Sequence, residues 1–220
     1  PYSRPGVHYR LGDARSELSR SPDRYDLIQM SMIDTWAASM SGAMTLPENA
    51  LYTREAFATF TDHLEDDGIL TVSRWYGKEN YGETARVLTL MHDTLSRRGI
   101  ADPSGHVVVV ATSSSMYAFG VANCMMKPTP FTPAELATLH QVADKMGFLV
   151  LWPSTGPLDA EHPMDAGALL REGPDAALGE TFDLSPPTDD RPFFFNLQRP
   201  VESWVAAIRT GDLGRGSKPT

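Results

Sequence analysis

Tyr25-Asp26-Leu27-Ile28-Gln29-Met30-Ser31-Met32-Ile33-Asp34-Thr35-Trp36 is the stretch on which the reading of this chain turns. Its first six residues make a short, mostly apolar run of the kind that buried parallel strands show. A loop with no clear period follows from Ser31 to Ala50, and loops of that length in compact domains are usually functional. On the amino-terminal side, Val7–Leu11 reads as a further strand that ends at Gly12-Asp13-Ala14-Arg15. A helix from Ala14 to about Ser19 comes next, closed by Ser21-Pro22.

On the carboxyl-terminal side the helical period becomes clear. Thr53 is placed as an N-cap, and Ala56, Phe57, Phe60 and Leu64 recur on one face. Gly68 stands where a C′ glycine would stop that helix, and Ile69–Trp75 reads as a strand. A second helix over Glu83–Arg98 carries Val87, Leu88, Met91 and Leu95 on one stripe. His106–Thr112 and Tyr117–Met126 read as an antiparallel pair around a serine-rich turn. Thr132-Pro133-Ala134-Glu135 is a capping box with proline at N1, opening a helix to Met146. Gly147 ends it, and Phe148–Trp152 is another strand. From Pro153 to Pro192 the sequence is rich in Pro, Gly and Asp and reads as irregular. Alternating strands and helices followed by an antiparallel pair argue for an α/β fold, its sheet mostly parallel with an antiparallel edge.

Composition narrows the function classes. The chain has 220 residues, 41% hydrophobic and 21% charged, which suits one folded domain. Its formal net charge of −9 argues against a nucleic-acid surface, which needs a basic patch. No apolar run reaches the length of a membrane span, and no signal peptide is visible. Pro1 in place of Met reads as a fragment boundary. The single cysteine, Cys124, excludes an internal disulfide, and its apolar surroundings point to a buried thiol. Six scattered histidines show no ligand spacing, so no metal is expected.

Three segments can carry chemistry. In open α/β sheets, ligands bind beyond the carboxyl ends of strands. There Asp13 could accept from an adenine amino group while the next backbone N–H, at Ala14, donates to the ring. The same turn also serves as a plain helix cap. At the end of the next strand, Asp34 could position or deprotonate a nucleophile, and Trp36 could cover a substrate. An Asx-turn and a packed tryptophan are the structural alternatives. In Glu48-Asn49-Ala50-Leu51-Tyr52-Thr53, the Glu48 carboxylate and Tyr52 hydroxyl could line a pocket, or Tyr52 could be a core aromatic. Thr188-Asp189-Asp190-Arg191-Pro192-Phe193-Phe194-Phe195 suggests a segment docked on the sheet, with Arg191 tied to a carboxylate.

Taken in order, Gly12-Asp13-Ala14-Arg15, Tyr25-Asp26-Leu27-Ile28, Leu51-Tyr52-Thr53-Arg54-Glu55-Ala56-Phe57 and Asp67-Gly68-Ile69-Leu70 resemble the spermidine-synthase family. The resemblance covers roughly residues 7 to 75. It implies a partial Rossmann-like, methyltransferase-type sheet over 1–152, with 153–220 as an extension carrying the docking Phe-rich segment. The Phe-rich block is similar to the end of the soluble domain in large bacterial members, which often carry membrane helices elsewhere. A cytoplasmic domain of a membrane-anchored protein is the localisation this implies.

For function, the resemblance implies S-adenosylmethionine or decarboxylated S-adenosylmethionine as cofactor, held by Asp13, Ala14 and Met30. Ser31 and Asp34 would face the reacting centre. Tyr52, Trp36 and Glu48 would line the pocket of a small-molecule acceptor such as an amine. Two departures qualify it. The family's glycine-rich loop and acidic ribose ligand are not in this sequence. Its Asp-x-x-Asp becomes Ser31-x-x-Asp34, and a serine hydroxyl is far too weak an acid to be an anionic base near neutral pH. Group transfer with an open acceptor therefore leads. A non-catalytic sensing or scaffold domain is the rival, and a dinucleotide-binding fragment trails because no Gly-x-Gly-x-x-G appears.

Overall fold

In the computed structural model, residues 5–33, 49–112, 120–154 and 163–198 are described. The elements run α1 (Ala14–Arg20), β1 (Tyr25–Ser31), α2 (Arg54–Asp62), β2 (Leu64–Tyr76), α3 (Gly82–Arg97), β3 (Val107–Thr112), β4 (Gly120–Met126), α4 (Pro133–Met146), β5 (Phe148–Trp152) and α5 (Ala166–Glu172). The fold is α/β, built on one five-stranded sheet of order β1-β2-β4-β3-β5.

The expected neighbours do pair. β1 lies parallel to β2, with Ile28 opposite Leu70 and Met30 opposite Val72. β3 and β4 form the expected antiparallel pair. The balance of the sheet differs from the expectation of a mostly parallel one. Among the described strands one pairing is parallel, and β2–β4, β3–β4 and β3–β5 are antiparallel. β5 follows a helix, yet it runs back beside β3 instead of extending the parallel part.

Alternation along β2 sets the two faces of the sheet. Leu70, Val72, Arg74 and Tyr76 are buried on one side, with Ile69, Ser73 and Trp75 half-buried on the other. On the first side they meet Phe57 and Phe60 of α2 and Val87, Leu88 and Met91 of α3, in one core cluster. Leu169 and Leu170 of α5, Leu184 and Phe194 join that same cluster, so the stretch after 153 is not merely irregular. Burying side chains of this size contributes about 1.5–3 kcal/mol each. α4 covers the opposite face, and Cys124 of β4 is buried in the core, where burial pushes its thiol up to about 12.

Two local expectations are corrected. Val7–Leu11 is not a strand: it is outside the sheet formed by the described strands, and Leu11 is 91% exposed. An alternating apolar run takes up strand geometry when a neighbour satisfies its backbone, and none of the described strands does so here. Gly68 does not end α2, which stops at Asp62 with His63 as its C-cap. It sits inside β2, where the register jumps between Tyr25↔Leu64 and Leu27↔Ile69. A Cβ at 68 would lie 2.6 Å from the Tyr25 carbonyl oxygen and 2.9 Å from the Glu65 nitrogen, so close backbone approach requires glycine there. Among the described residues, no helix is long and apolar enough to cross a membrane.

Candidate functional site

The Gly12–Arg15 turn is built around Asp13. Its Oδ1 accepts from the Ser16 backbone N–H at 2.7 Å, which makes it the N-cap of α1. Those hydrogen bonds from Ser16 hold the carboxyl below the ordinary carboxylate range, so Asp13 is an anion at neutral pH. A carboxylate has lone pairs for several donors, and the Ala14 N–H belongs to the first turn of α1, whose backbone donors have no intrahelical partner. Cap and ligand roles are therefore compatible.

Arg15 binds this turn to the rest of the site. Its guanidinium meets both oxygens of Asp189 at 2.7 Å, and also reaches the Ala50 carbonyl at 3.1 Å. Asp189 Oδ1 in turn accepts from Thr53 Oγ1 at 2.7 Å, while its backbone N–H donates to Glu55 Oε2 at 3.0 Å. The Arg15 hydrogen bond keeps Asp189 below the usual carboxylate range. Thr53 caps α2 by accepting from Ala56 N–H at 3.2 Å. The carboxylate–arginine tie expected at Arg191 thus runs from Asp189 to Arg15 instead. Arg191 is itself exposed, as befits a residue beside a tight Thr188–Arg191 bridge.

At the end of β1, Met30 is buried and Ser31 is exposed, its Oγ accepting from Gln29 Nε2 at 2.8 Å. Met32 has a left-handed backbone, φ 51°, which turns the chain out of the strand. Backbones of that kind cluster at functional sites. The Ile33 carbonyl then collects two donors, the Tyr52 hydroxyl at 3.1 Å and Arg74 Nη2 at 3.1 Å.

Tyr52 is fully buried. Its ring stacks on Phe194 at 4.6 Å, and Phe195 approaches it edge-on at 6.2 Å. The Arg74 guanidinium lies 4.2 Å from the ring centre, close enough for a strong cation–π contact. As placed, Tyr52 is a core aromatic whose hydroxyl fixes the exit of β1.

Segment 183–198 straps these parts together. Its Pro187 and Pro192 carbonyls accept from Arg54 N–H and Asn49 N–H, at 2.8 and 2.9 Å. Arg86 of α3, buried, donates to the carbonyls of Ser185, Phe193, Phe194 and Asn196 at 2.7–3.2 Å, with Asp183 at 3.6 Å. Burial pulls Arg86 down to about 10, still well charged at neutral pH.

The structure therefore joins the Asp13–Ala14 turn, the Met30–Ser31 strand end and Tyr52 through the Ala50–Thr53 segment. Asp34, Trp36 and Glu48 lie outside the described residues. Arg74 was not singled out from sequence, although a signal existed. It has the parity of Leu70, Val72 and Tyr76, and so had to point inward.

No protein-family model matches this chain, and no curated protein does. Among solved structures, it is similar to a probable spermidine synthase from Corynebacterium glutamicum, at 19% sequence identity and a TM-score of 0.45. The similarity covers 69% of this chain and 47% of that one, so the chain spans about half of that protein's length.

Proposed function

We propose that this chain is a group-transferase domain of the spermidine-synthase-like type, binding S-adenosylmethionine or its decarboxylated form and serving a small-molecule acceptor. The observation that supports it best is the tying of the Gly12–Arg15 turn and the end of β1 to one short segment, Ala50–Thr53, by Arg15 and Tyr52. These are the segments that carry the family resemblance. In this reading residues 1–152 hold the cofactor-binding part, and the extension 153–220 carries the strap at 183–198.

The residues present fit the adenosyl end of such a cofactor. The Asp13 carboxylate offers an acceptor and the Ala14 N–H a donor, side by side, which matches the donor and acceptor on the edge of an adenine ring. Met30 supplies an apolar wall. When bound, the cofactor brings an electrophilic carbon on its sulfonium, and the protein's task is to align a nucleophile with it. In this reading Ser31 and Asp34 would face that point, the Asp34 carboxylate being the group able to hold or deprotonate an acceptor. Trp36 and Glu48 would, on the same reading, line the acceptor pocket, with the buried Tyr52 holding the exit of β1. With Ser31 at the base position, aminopropyl transfer to a diamine is not the favoured chemistry, and the acceptor's identity is open.

Calorimetry with the thioether product of S-adenosylmethionine tests the cofactor reading. Asp13→Ala should weaken binding by about 1.5–3 kcal/mol, the range for a hydrogen bond to a charged group. Equal affinities would remove Asp13 from the site; binding by this chain alone is expected to be weak, because the family's glycine-rich loop is not in its sequence.

A further inference from the structure

On the sheet face opposite Tyr52 and Arg74, helix α4 stands off the strands it crosses. Its sequence is amphipathic, with Leu136, Leu139, Val142, Ala143 and Met146 at helical spacing, yet Ala143 is its sole buried residue. Val142 and Met146 remain 51% and 58% exposed. Between helix and sheet lies a cavity of about 700 Å³, whose walls include Val110, Thr112, Asn123, Met125, Leu139 and Val142. That volume falls within the roughly 300–1,000 Å³ of small-molecule sites.

The gap is held open from both ends. At the amino-terminal end of α4, Thr132 and Glu135 form a complete capping box. Glu135 also meets the buried Lys127 at 2.5 Å, and Phe131 N–H donates to the Gly105 carbonyl at 2.9 Å. At the other end Gly147, in the left-handed conformation, passes the chain straight into β5, which is fixed beside β3. A helix pinned in this way cannot settle onto the sheet, and its apolar stripe stays unsatisfied unless something fills the space.

The polar chemistry of the walls defines the filler. Glu135 is the charged group there, and both its oxygens are engaged, Oε1 by Lys127 and Oε2 by the Thr132 N–H and hydroxyl. Asn123 accepts from the Thr71 hydroxyl through Oδ1, and its Nδ2 takes part in no hydrogen bond among the described residues. We propose that this cavity is a binding site for an uncharged, largely apolar small molecule carrying one hydrogen-bond acceptor, which the Asn123 amide receives. It is independent of the transferase reading, because it uses the other face of the sheet.

The probe is 6-propionyl-2-dimethylaminonaphthalene, a neutral fluorophore with one carbonyl. Saturable one-to-one binding with a blue-shifted emission is expected, together with a shift of the Met125 methyl resonance and none at Met30. Thr138→Trp and Ala134→Trp, which place an indole in the cavity, should each lower affinity tenfold or more. Asn123→Leu should weaken this probe about tenfold while leaving the hydrocarbon diphenylhexatriene unaffected. Leu11→Ser, which removes an apolar group 91% exposed outside the sheet, should change nothing. The methyl shift needs no variant, so misfolding of a tryptophan variant does not remove the test. Retained binding in both tryptophan variants, loss in Leu11→Ser, or an unmoved Met125 would overturn the proposal. So would a dimer abolished by Val142→Asp that excludes the probe.

Discussion

Replacing Arg86 with Met should be among the most damaging single changes on the sheet's core side. The guanidinium, 4% exposed, donates to four backbone carbonyls of the 185–196 strap. Methionine keeps most of the volume and removes every donor. Each hydrogen bond from a charged group contributes about 1.5–3 kcal/mol, and a buried carbonyl left without a partner costs about 1–3 kcal/mol. Those figures do not add in full, since the half-buried carbonyls of Phe193 and Asn196 regain water when the strap loosens. The desolvation that pulls Arg86 down to about 10 is also relieved in the mutant. The net loss expected is about 3–5 kcal/mol, the range for breaking a buried charged network by removing one partner. At about 2–4 °C per kcal/mol for a chain of this size, the melting temperature should fall by about 10 °C. Arg86→Lys should rescue little, because one ammonium cannot reach four carbonyls spread over the strap. Urea unfolding followed by circular dichroism measures the loss. A fall of less than 1 kcal/mol for Arg86→Met would show that the strap does not depend on this residue.

Glu135 is held down to about 2 by its hydrogen bonds to Lys127 and Thr132, against an ordinary value of 4.5. Its folded pKa is depressed, so its stabilisation is complete above about pH 4.5 and is lost as pH falls towards 2. Because the carboxylate is partly exposed and screened, Glu135→Gln should cost about 1 kcal/mol at pH 7 and almost nothing near pH 2, read from urea midpoints. A cost that does not change with pH would contradict the assignment. Gly68→Ala drives a methyl against backbone atoms of Tyr25 and Glu65 and should destabilise by about 2 kcal/mol; an unchanged midpoint would show that the register jump tolerates a side chain. With decarboxylated S-adenosylmethionine and putrescine, spermidine formation measured by mass spectrometry should be about a hundred- to ten-thousand-fold below that of an enzyme with a working base. Turnover near one per second would mean that the base is not at position 31.

Periodicity carried most of the fold. The stripe of Val87, Leu88, Met91 and Leu95 and the capping box at Thr132 located α3 and α4 to within a residue or so. The apolar run from Tyr25 and the one after Gly68 located the paired strands. What periodicity could not supply was anything that depends on distant partners. Val7–Leu11 has the composition of a strand, but none of the described strands pairs with it. Gly68 has the look of a helix stop because the three residues before it, Glu65-Asp66-Asp67, are polar, whereas tertiary pairing with Tyr25 draws β2 back to Leu64. In the site, Asp13 and Tyr52 were legible as residues but not as partners. The bonds from Arg15 to Asp189 and from Arg74 to Ile33 span 174 and 41 positions, beyond any local pattern.

Those long-range bonds also bear on how the site could diverge. The turn at Asp13 is fixed by Ser16 and Arg15, and the exit of β1 by Tyr52 and Arg74. The strap is fixed by Arg86 and Asp189. None of these anchors involves the Ser31 hydroxyl, which among the described residues meets its neighbour Gln29 and is exposed. A change at position 31 therefore alters the charge offered to an acceptor without disturbing the frame that would hold it. On this geometry Ser31→Asp should fold as the wild type does and change only the chemistry beyond β1. In the proposed reading, Ser31 is thus the position at which a base could be added or removed separately from stability.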